Sequence, residues 1–326
     1  MQSSTQVVAP RAFELRSESG LRARVLDVGA SLTSLQVPTP SGVREVILGY
    51  GADTDYQRDP WFMGSTVGRY ANRLAHGRLS LGGSSFQLST DPDSGHCLHG
   101  GPEGFHHQVW TPEETHHPQQ LVLRHVSAHG TAGFPGRLDV RVTYTLTDPG
   151  ALVIDYVAVT DRTTVVSMTN HAYFNLHGNN SAIDGHSLQV WADRYTPVHN
   201  DGIPVGVLAS VDQTRFDFRA HRQLSADDRY DINFVLRPGD DYVRKVASLH
   251  SPVSGIRMDV HTSQPGMQLY TGDELGKPFG PRAGLCLETQ NFPDAPNQAM
   301  FPDATLNTAD TYQQRTVYDF RVEAPA

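Results

Sequence analysis

The chain has 326 residues, a formal net charge of −9 and 38% hydrophobic residues. Because proteins that bind a phosphate backbone need clustered positive charge, the acidic balance and the lack of any Lys/Arg run argue against a nucleic-acid partner. No stretch approaches about 18 uninterrupted apolar residues, which argues against a membrane-spanning helix.

The composition is rich in turn formers, with 29 Gly and 21 Pro, and this suits many short strands better than long helices. Cys97 and Cys286 are the only cysteines, so the sequence predicts two reduced, partly buried thiols rather than a disulfide scaffold. The N-terminus lacks a basic start followed by an apolar core. Together these features predict a cytoplasmic protein.

Apolar alternation predicts the following elements in chain order. Alternating apolar residues over 26–32 indicate a strand, and a short helix is expected around 53–62. Residues 77–89 (GRLSLGGSSFQLS) read as a hairpin around Gly-Gly. Residues 137–159 alternate on both sides of an Asp-Pro-Gly turn, which is typical of a second hairpin. Another short helix is expected around 221–230.

Turn residues are spread throughout the chain, and no repeat, low-complexity tract or charged linker marks a boundary. Many alternating strands without a helical layer favour two stacked sheets. The sequence therefore predicts an all-β fold, a β-sandwich with few short helices, forming a single domain over residues 1–326.

Polar residues gather in four segments, 67–77, 96–101, 169–178 and 284–298. If the third segment is extended, alternation places three polar side chains on one face: His171, Tyr173 and Asn175. In the fourth, it groups Cys286, Glu288 and Gln290 opposite Leu285 and Leu287. Two apolar-backed strands would therefore each present a titratable group among hydrogen-bonding neighbours.

Such a surface suits carbohydrate recognition, which needs amides, carboxylates and Arg to pair with hydroxyls. A buried Glu with a nearby His also offers an acid–base pair whose members titrate apart. Each residue has a structural alternative, since His171 and His99 belong to a set of 16 histidines. The structural alternative for Glu288 is one half of an ion pair, and for Arg73 it is a surface charge. Composition and spacing thus indicate a polar site without identifying its reaction.

Six motifs that occur in order from residue 68 to about 298 carry a resemblance to a known family: GRYANRLAHG, LHGGPEGFHHQVW, NHAYFNLHG, RYDINF, MQLYTG and LETQNFPDAPNQ. The sequence resembles the aldose 1-epimerase (galactose mutarotase) family. That resemblance implies a large twisted galactose mutarotase-like supersandwich. It also implies an isomerase of carbohydrate metabolism that interconverts α and β anomers of free aldohexoses such as galactose and glucose, without cofactor or metal.

The resemblance also implies roles for individual residues. Glu288 in LETQ matches the family's general base, and His171 in NHAYFNL matches its general acid. His99 in LHGG matches a second active-site histidine. The matched residues that bind sugar hydroxyls are Arg73, Asp231 and Gln268, with Asn72 beside Arg73 as a further candidate.

Two departures from the family pattern concern local structure. His96 stands where the family often has Asn or another polar residue, three positions before His99. The tail NTADTYQQRTVYDF lacks the Pro-Gly-Glu turn common before the last strand, which puts that turn in doubt. The preferred sugar, and whether the protein is a monomer or a homodimer, are left open by the motifs.

Three alternatives accompany this interpretation. A hexose-6-phosphate 1-epimerase would need further basic groups beside Arg69 and Arg73. A sugar-binding module would keep the sandwich without the chemistry. A His-dependent metalloenzyme is suggested by His96 and His99 and by the pairs 106–107 and 116–117, but adjacent histidines on a strand face opposite sides and make poor joint ligands.

Overall fold

The computed structural model describes residues 9–178 and 181–323. Within them the chain forms twenty-six strands, β1 to β26 in chain order: Ala12–Arg16, Arg22–Leu26, Leu32–Thr39, Gly42–Glu45, Thr66–Val67, Arg73–Leu74, Arg78–Leu81, Ser84–Gln87, Cys97–Leu98, Thr111–Glu113, Gln120–Ser127, Leu138–Leu146, Ala151–Thr160, Thr164–Val165, Thr169–Asn170, Ser187–Val190, Ala192–Tyr195, Ala209–Ser210, Arg222–Gln223, Asp231–Leu236, Arg244–His250, Ile256–Thr262, Gly266–Tyr270, Cys286–Gln290, Thr305–Leu306 and Tyr312–Val322.

Helical structure in the described residues is confined to 3₁₀ turns: Asp53–Arg58, Ala75–Gly77, Phe105–His107, Thr131–Gly133 and Ala295–Asn297. The helix expected around 53–62 is therefore shorter than predicted. The prediction of a helix around 221–230 is wrong, because this segment contains the short strand β19 followed by a turn. Asp228 Oδ2 accepts hydrogen bonds from the Ser225 amide (2.9 Å) and hydroxyl (3.1 Å), and such local side-chain bonds compete with a helix. The predicted all-β class with few short helices is confirmed.

Three sheets supply most of the architecture. The largest has nine strands in the order β10-β11-β12-β13-β26-β22-β21-β16-β19, and it adjoins a four-stranded sheet (β1-β2-β3-β4) and a five-stranded sheet (β18-β17-β20-β23-β24). Strands β12 and β13 pair antiparallel from Leu138↔Thr160 to Leu146↔Leu152, which confirms the hairpin predicted over 137–159. The hairpin predicted over 77–89 is also confirmed, as β7 and β8.

The strand predicted over 26–32 is wrong. Strand β2 ends at Leu26 and β3 begins at Leu32, with a reversal between them. Gly29 and Ala30 have positive φ angles of 67° and 45°, and the Leu26 amide donates to the Ser31 carbonyl at 2.8 Å. The apolar alternation in this segment therefore belongs to a buried turn, whose side chains also pack inward.

A continuous core joins the three sheets. It includes Val140 and Tyr144 of β12, Leu35 of β3, and Ile232 and Leu287 of the five-stranded sheet, all essentially buried. Burying one such aliphatic side chain stabilises the fold by about 1.5–3 kcal/mol. The opposite face of the five-stranded sheet is free to carry polar groups, and the candidate site lies there.

The C-terminal segment, which lacks the family's Pro-Gly-Glu turn, forms a different turn before the last strand. In place of a Pro-Gly-Glu turn, the Asp310 amide donates to the Asn307 carbonyl at 3.0 Å, and Asn307 Nδ2 donates to Asp310 Oδ2 at 3.0 Å. This turn leads into β26, which pairs with both β13 and β22 at the centre of the large sheet.

His186 is built into the fold as a neutral imidazole. Its Nε2 accepts from the Leu176 amide at 3.0 Å and its Nδ1 lies 2.8 Å from the Ile183 carbonyl. One nitrogen must therefore accept and the other donate, which only the neutral ring can do. Burial is the main reason that the pKa of His186 falls from 6.5 to about 3.

We expect the free energy of unfolding to fall as the pH is lowered, because unfolded His186 binds a proton that the folded state rejects. A depressed imidazole pKa stabilises the fold above about 6.5, and this contribution is lost towards the folded-state pKa. For one residue the loss between pH 7 and pH 5 is about 2 kcal/mol. Urea unfolding of the wild type and of His186→Gln at both pH values checks this. Equal pH dependence in both proteins would contradict it.

Candidate active site

A cleft of about 530 Å³ opens beside the five-stranded sheet. Its walls come from elements far apart in sequence: the 60–62 loop, β6, the β9 turn, the segment after β15, and strands β20, β23 and β24. The cleft brings together these candidates from the sequence: Asn72, Arg73, His99, His171, Asp231 and Glu288.

Strand β24 places Glu288 at the bottom of the cleft. Strand alternation sends Leu287 into the core and turns Glu288 the other way. The Glu288 side chain is 2% exposed and its Oε1 lies 3.8 Å from His171 Nε2. Its Oε2 has no hydrogen-bond partner among the described residues. Burial raises the pKa of Glu288 well above its ordinary value, repulsion from Asp231 raises it further, and Arg73 opposes both.

His171 is fixed by its main chain. Its amide donates to the Ser65 carbonyl at 2.9 Å, and its own carbonyl accepts from the Gly64 amide at 3.0 Å. Burial lowers the pKa of His171 to about 4, so the imidazole is neutral at pH 7.

The face predicted for 169–178 is only partly correct. His171 and Tyr173 line the cleft, but Asn175 does not. Asn175 Nδ2 donates instead to the carbonyls of Ser181 (2.7 Å) and Ala283 (2.8 Å). Regular strand geometry covers only Thr169–Asn170, so strict alternation is lost before residue 175.

His99 and Asn72 hold each other in place. The Asn72 amide donates to His99 Nδ1 at 3.1 Å, and the His99 amide donates to the Asn72 carbonyl at 3.0 Å. Since Nδ1 accepts a hydrogen bond, the ring proton of neutral His99 lies on Nε2. Burial lowers the pKa of His99 well below its ordinary value, and the neighbouring His171 adds to this.

The turn after His99 requires glycine. Gly100 has a φ of +88°, and a Cβ atom there would lie 1.9 Å from the Gly68 carbonyl oxygen. The Gly-Gly pair in LHGG therefore permits a close backbone approach, and this approach brings His99 beside β6.

Arg73 and Asp231 face each other at the outer part of the cleft, with Arg73 Nη1 3.7 Å from Asp231 Oδ2. Gln268 Nε2 donates to Asp231 Oδ1 at 2.5 Å. Within the described part of the chain, Gln268 supports Asp231 rather than lining the cleft itself. Behind Arg73, the Asp294 amide donates to the Arg73 carbonyl at 2.8 Å. The PDAPNQ turn thus braces the strand that carries Arg73.

Apart from Tyr173, the aromatic side chains of the cleft were not identified from the sequence. Phe62 has its ring centroid 4.6 Å from that of His99 and 5.6 Å from that of His171. Trp61 and Tyr270 also line the cleft. The sequence does show two consecutive aromatic residues, Trp61 and Phe62, directly after Pro60. The prediction of a helix around 53–62 assigned them to that helix and not to a site. Phe62 has a φ of 56°, an uncommon conformation for a bulky residue that tertiary contacts must maintain.

Other polar residues from the sequence lie outside the cleft. Arg69 is buried, and its guanidinium donates to the carbonyls of Ser127 (3.1 Å), Pro135 (2.8 Å) and Ala128 (2.9 Å). His96 Nδ1 accepts from the His76 amide at 3.0 Å. Both histidines of the 96–99 segment are therefore buried, but only His99 reaches the cleft.

Both cysteines are free and buried, as predicted. Cys97 packs in the cluster that includes Leu74 and Leu79, whereas Cys286 packs with Tyr173 and Leu275. Among the described residues no helix is long and apolar enough to cross a membrane.

His99, His171 and Glu288 offer potential metal-ligating atoms within 4.8 Å of one another. Zinc bonds of about 2.0–2.1 Å in a tetrahedral arrangement place the donor atoms roughly 3.3 Å apart. The 3.8 Å between His171 Nε2 and Glu288 Oε1 is looser than that. His99 also uses Nδ1 to accept the Asn72 amide. The three side chains therefore suit hydroxyl groups placed between them better than a single metal ion.

Removing the Phe62 ring should admit water to the histidines and raise the pKa of His171 from about 4 towards 6.5, since burial is its principal cause. An NMR titration of the His171 ring in Phe62→Ala checks this. Phe279→Ala is the matched control, because its ring lies against Tyr50. An unchanged His171 titration in folded Phe62→Ala would contradict the role given to Phe62.

Comparison with known proteins agrees with this geometry. A family model described as aldose 1-epimerase matches residues 11–319. A galactose mutarotase of Rattus norvegicus is 39% identical over 333 residues, covering 96% of this chain and 95% of that protein. An aldose 1-epimerase of Escherichia coli strain K12 is 37% identical over 349 residues, covering 99% of this chain and 100% of that protein.

Solved structures give the same result. An aldose epimerase homologue from C. elegans has a TM-score of 0.91 and 31% identity, covering 97% of this chain and 100% of that one. A galactose 1-epimerase from Lactobacillus acidophilus has a TM-score of 0.83 and 27% identity, covering 97% and 95%. The predicted galactose mutarotase-like sandwich is confirmed. The chain belongs to the aldose 1-epimerase family and is an isomerase.

Proposed function

We propose that this enzyme interconverts the α and β anomers of free aldohexoses such as galactose and glucose, with Glu288 and His171 as its proton-transfer pair. The observation that carries the proposal is the buried approach of Glu288 Oε1 to His171 Nε2, 3.8 Å apart at the bottom of the cleft. The names of the relatives, galactose mutarotase and aldose 1-epimerase, support the same reaction.

The reaction needs one base and one acid at the hemiacetal. Glu288 removes the proton from the anomeric O1–H while His171 protonates the ring oxygen O5. The C1–O5 bond breaks and C1 becomes an aldehyde. Rotation about C1–C2 presents the other face, and reversal of both proton transfers closes the ring. Positioned acid–base groups contribute about 10² to 10⁴ in rate.

One proton serves the whole cycle. Before opening, His171 holds a proton and Glu288 none; after opening, the proton of His171 is on O5 and Glu288 holds the one taken from O1–H, so the pair always holds one proton and is ready to close the ring. Burial raises the pKa of Glu288 and lowers that of His171, so burial by itself favours the uncharged pair over the ion pair. Ring opening starts from the charged arrangement, which the bound sugar stabilises by donating a hydroxyl hydrogen bond to the carboxylate.

The remaining polar residues hold the sugar in register. His99 offers its Nε2–H beside the pair, and the ring centroids of His99 and His171 are 5.2 Å apart. Arg73, Asn72 and Asp231 present donors and acceptors to the sugar hydroxyls, with Gln268 fixing Asp231. Orientation of this kind adds a rate contribution separate from proton transfer.

The charge of the cleft favours a free sugar over a sugar phosphate. Its carboxylates are Asp231, Asp273, Glu274 and Glu288, and its arginines are Arg73 and Arg229. A phosphate dianion would meet this acidic set, and Arg69 is committed to three backbone carbonyls elsewhere. A non-catalytic binding module has no use for a desolvated acid–base pair, so the pair favours an enzyme.

We also propose that the chain forms one domain over residues 1–326 and works in the cytoplasm. A single core cluster that draws on the four-, five- and nine-stranded sheets supports the first proposal. Two free, buried thiols support the second.

Glu288→Gln and His171→Ala should each lower turnover by about 10² or more, because each removes one proton-transfer group. The measurement is polarimetry of freshly dissolved α-galactose and α-glucose with and without enzyme. Glu274→Gln, which alters an exposed carboxylate at the cleft rim, is the control and should keep the wild-type rate. A folded Glu288 or His171 variant with near wild-type turnover would remove that residue from the mechanism. Sugar binding without faster anomer exchange in the wild type would instead identify a binding module.

The pH dependence of kcat/KM should be bell-shaped, because only the pair holding one proton is active. On the acidic side a second proton enters at His171, whose pKa is about 4, so activity should persist below the 6.5 of an ordinary imidazole. On the alkaline side the pair loses its proton through Glu288, whose pKa is raised. Polarimetric rates across pH check this. An acidic midpoint near 6.5 would show that the working histidine is not buried as His171 is.

A further inference from the structure

The 60–62 loop, which carries two aromatic side chains of the cleft, is bound by a buried carboxylate. Asp59 directly precedes this loop and is 8% exposed. Its Oδ1 accepts a hydrogen bond from the Trp61 amide at 2.8 Å, and its Oδ2 accepts one from the Met63 amide. One carboxylate therefore binds the main chain on both sides of Phe62.

These two hydrogen bonds support the conformation of Phe62. Its φ of 56° is uncommon for a bulky residue. Main-chain amides on either side of such a turn can point towards one anion. The same turn directs the Phe62 ring to the histidines of the cleft, with its centroid 4.6 Å from that of His99 and 5.6 Å from that of His171. Asp59 thus stabilises the backbone that aims this ring.

Asp59 is also fixed from outside the loop. The Tyr50 hydroxyl donates to its Oδ1 at 2.6 Å. Burial raises the pKa of Asp59, and the hydrogen bonds from Tyr50, Trp61 and Met63 oppose this. All three bonds favour the ionised form, because a carboxylate offers only accepting oxygens. An amide at this position cannot replace all of them.

We propose that Asp59 is a positioning residue that binds the main chain on both sides of Phe62, holds that ring against His171 and keeps water from the imidazole. Asp59 does not line the cleft and exchanges no proton with the sugar. The Phe62 ring excludes water whichever nitrogen of His171 carries a proton, so this role is the same before and after ring opening. The proposal rests on the proposed role of His171.

The titration of His171 reports how well water is excluded. Burial is the first cause of its low pKa, so admitting water raises that pKa. Five other titratable groups surround the ring, and the substitutions at 45, 59 and 62 used below leave all of them in place. These groups are Glu288, Cys286, His99, His106 and Tyr173.

Glu45 on β4 provides a matched control. Burial raises its pKa as well. Its Oε1 accepts from the Leu35 amide at 2.7 Å and its Oε2 accepts from the Ser34 hydroxyl at 2.5 Å, but it does not line the cleft. Glu45→Gln therefore removes the same charge and one accepting oxygen at a site away from Phe62. A general loss of stability would appear in both variants.

The experiment titrates the His171 ring of the full chain by NMR in Asp59→Asn, with His171→Gln to assign the signals. The amide has one accepting oxygen where the carboxylate has two, so one of the two main-chain amides loses its acceptor. We expect the His171 pKa to move upward from about 4 towards 6.5. The ratio of kcat/KM at pH 5 to that at pH 7 should then fall by up to about twentyfold. Glu45→Gln should change neither quantity.

A double variant tests whether Asp59 acts through Phe62. Asp59→Asn should shift the His171 titration in the wild-type background and add nothing in Phe62→Ala, because the ring that Asp59 positions is then absent. A further shift of the same size in the Phe62→Ala background would overturn the proposal. An unchanged titration in folded Asp59→Asn would overturn it as well.

The wild type provides a test that does not depend on the folding of Asp59→Asn. The Trp61 and Met63 amides should exchange their hydrogens slowly if Asp59 binds them, and rapid exchange of both amides would contradict the proposal. Absence of anomer exchange in the wild type would reject the proposed function, while the His171 titration would still decide the role of Asp59.

Discussion

The site depends on the exclusion of water from Glu288 and His171. Both side chains are at most 5% exposed, and burial is the leading cause of both pKa shifts. In water the carboxylate would be charged and the imidazole partly so, and the two would titrate separately. In the cleft they share a low-dielectric environment, in which the protonation of one group depends on that of the other. The sheet beneath and the Phe62 ring beside the histidines provide this environment.

The protein maintains the arrangement through unusual backbone conformations. Phe62, Asn72, His99 and Asp294 all have positive φ angles between 50° and 63°, which are uncommon for residues other than glycine. Each is compensated by local bonds, such as the reciprocal pair between Asn72 and His99. Asp294 likewise accepts from the Ala75 amide (2.9 Å) and from Gln298 Nε2 (2.8 Å). Strain concentrated at the cleft and its supports is consistent with preorganisation of the site.

Much of this was predictable because strand alternation is a local property. It identified the β12–β13 and β7–β8 hairpins, and it placed Cys286 and Glu288 on one face opposite Leu287. Local pattern failed where the chain turns while staying buried, as at Gly29 and Ala30, since a buried turn and a strand share the same apolar composition. It failed again at Asn175, where the regular strand has already ended.

The sequence by itself determined the all-β class, the family resemblance and the polar residues available for chemistry, because these follow from residue type and short-range spacing. Only the tertiary structure decided which of those residues meet. It brought His99, His171 and Glu288 together from three segments. It placed Arg69 away from the cleft, where its guanidinium donates to three backbone carbonyls. It also added Phe62 to the site. The physical reason is that desolvation and hydrogen-bond partners depend on long-range packing, which no local pattern specifies.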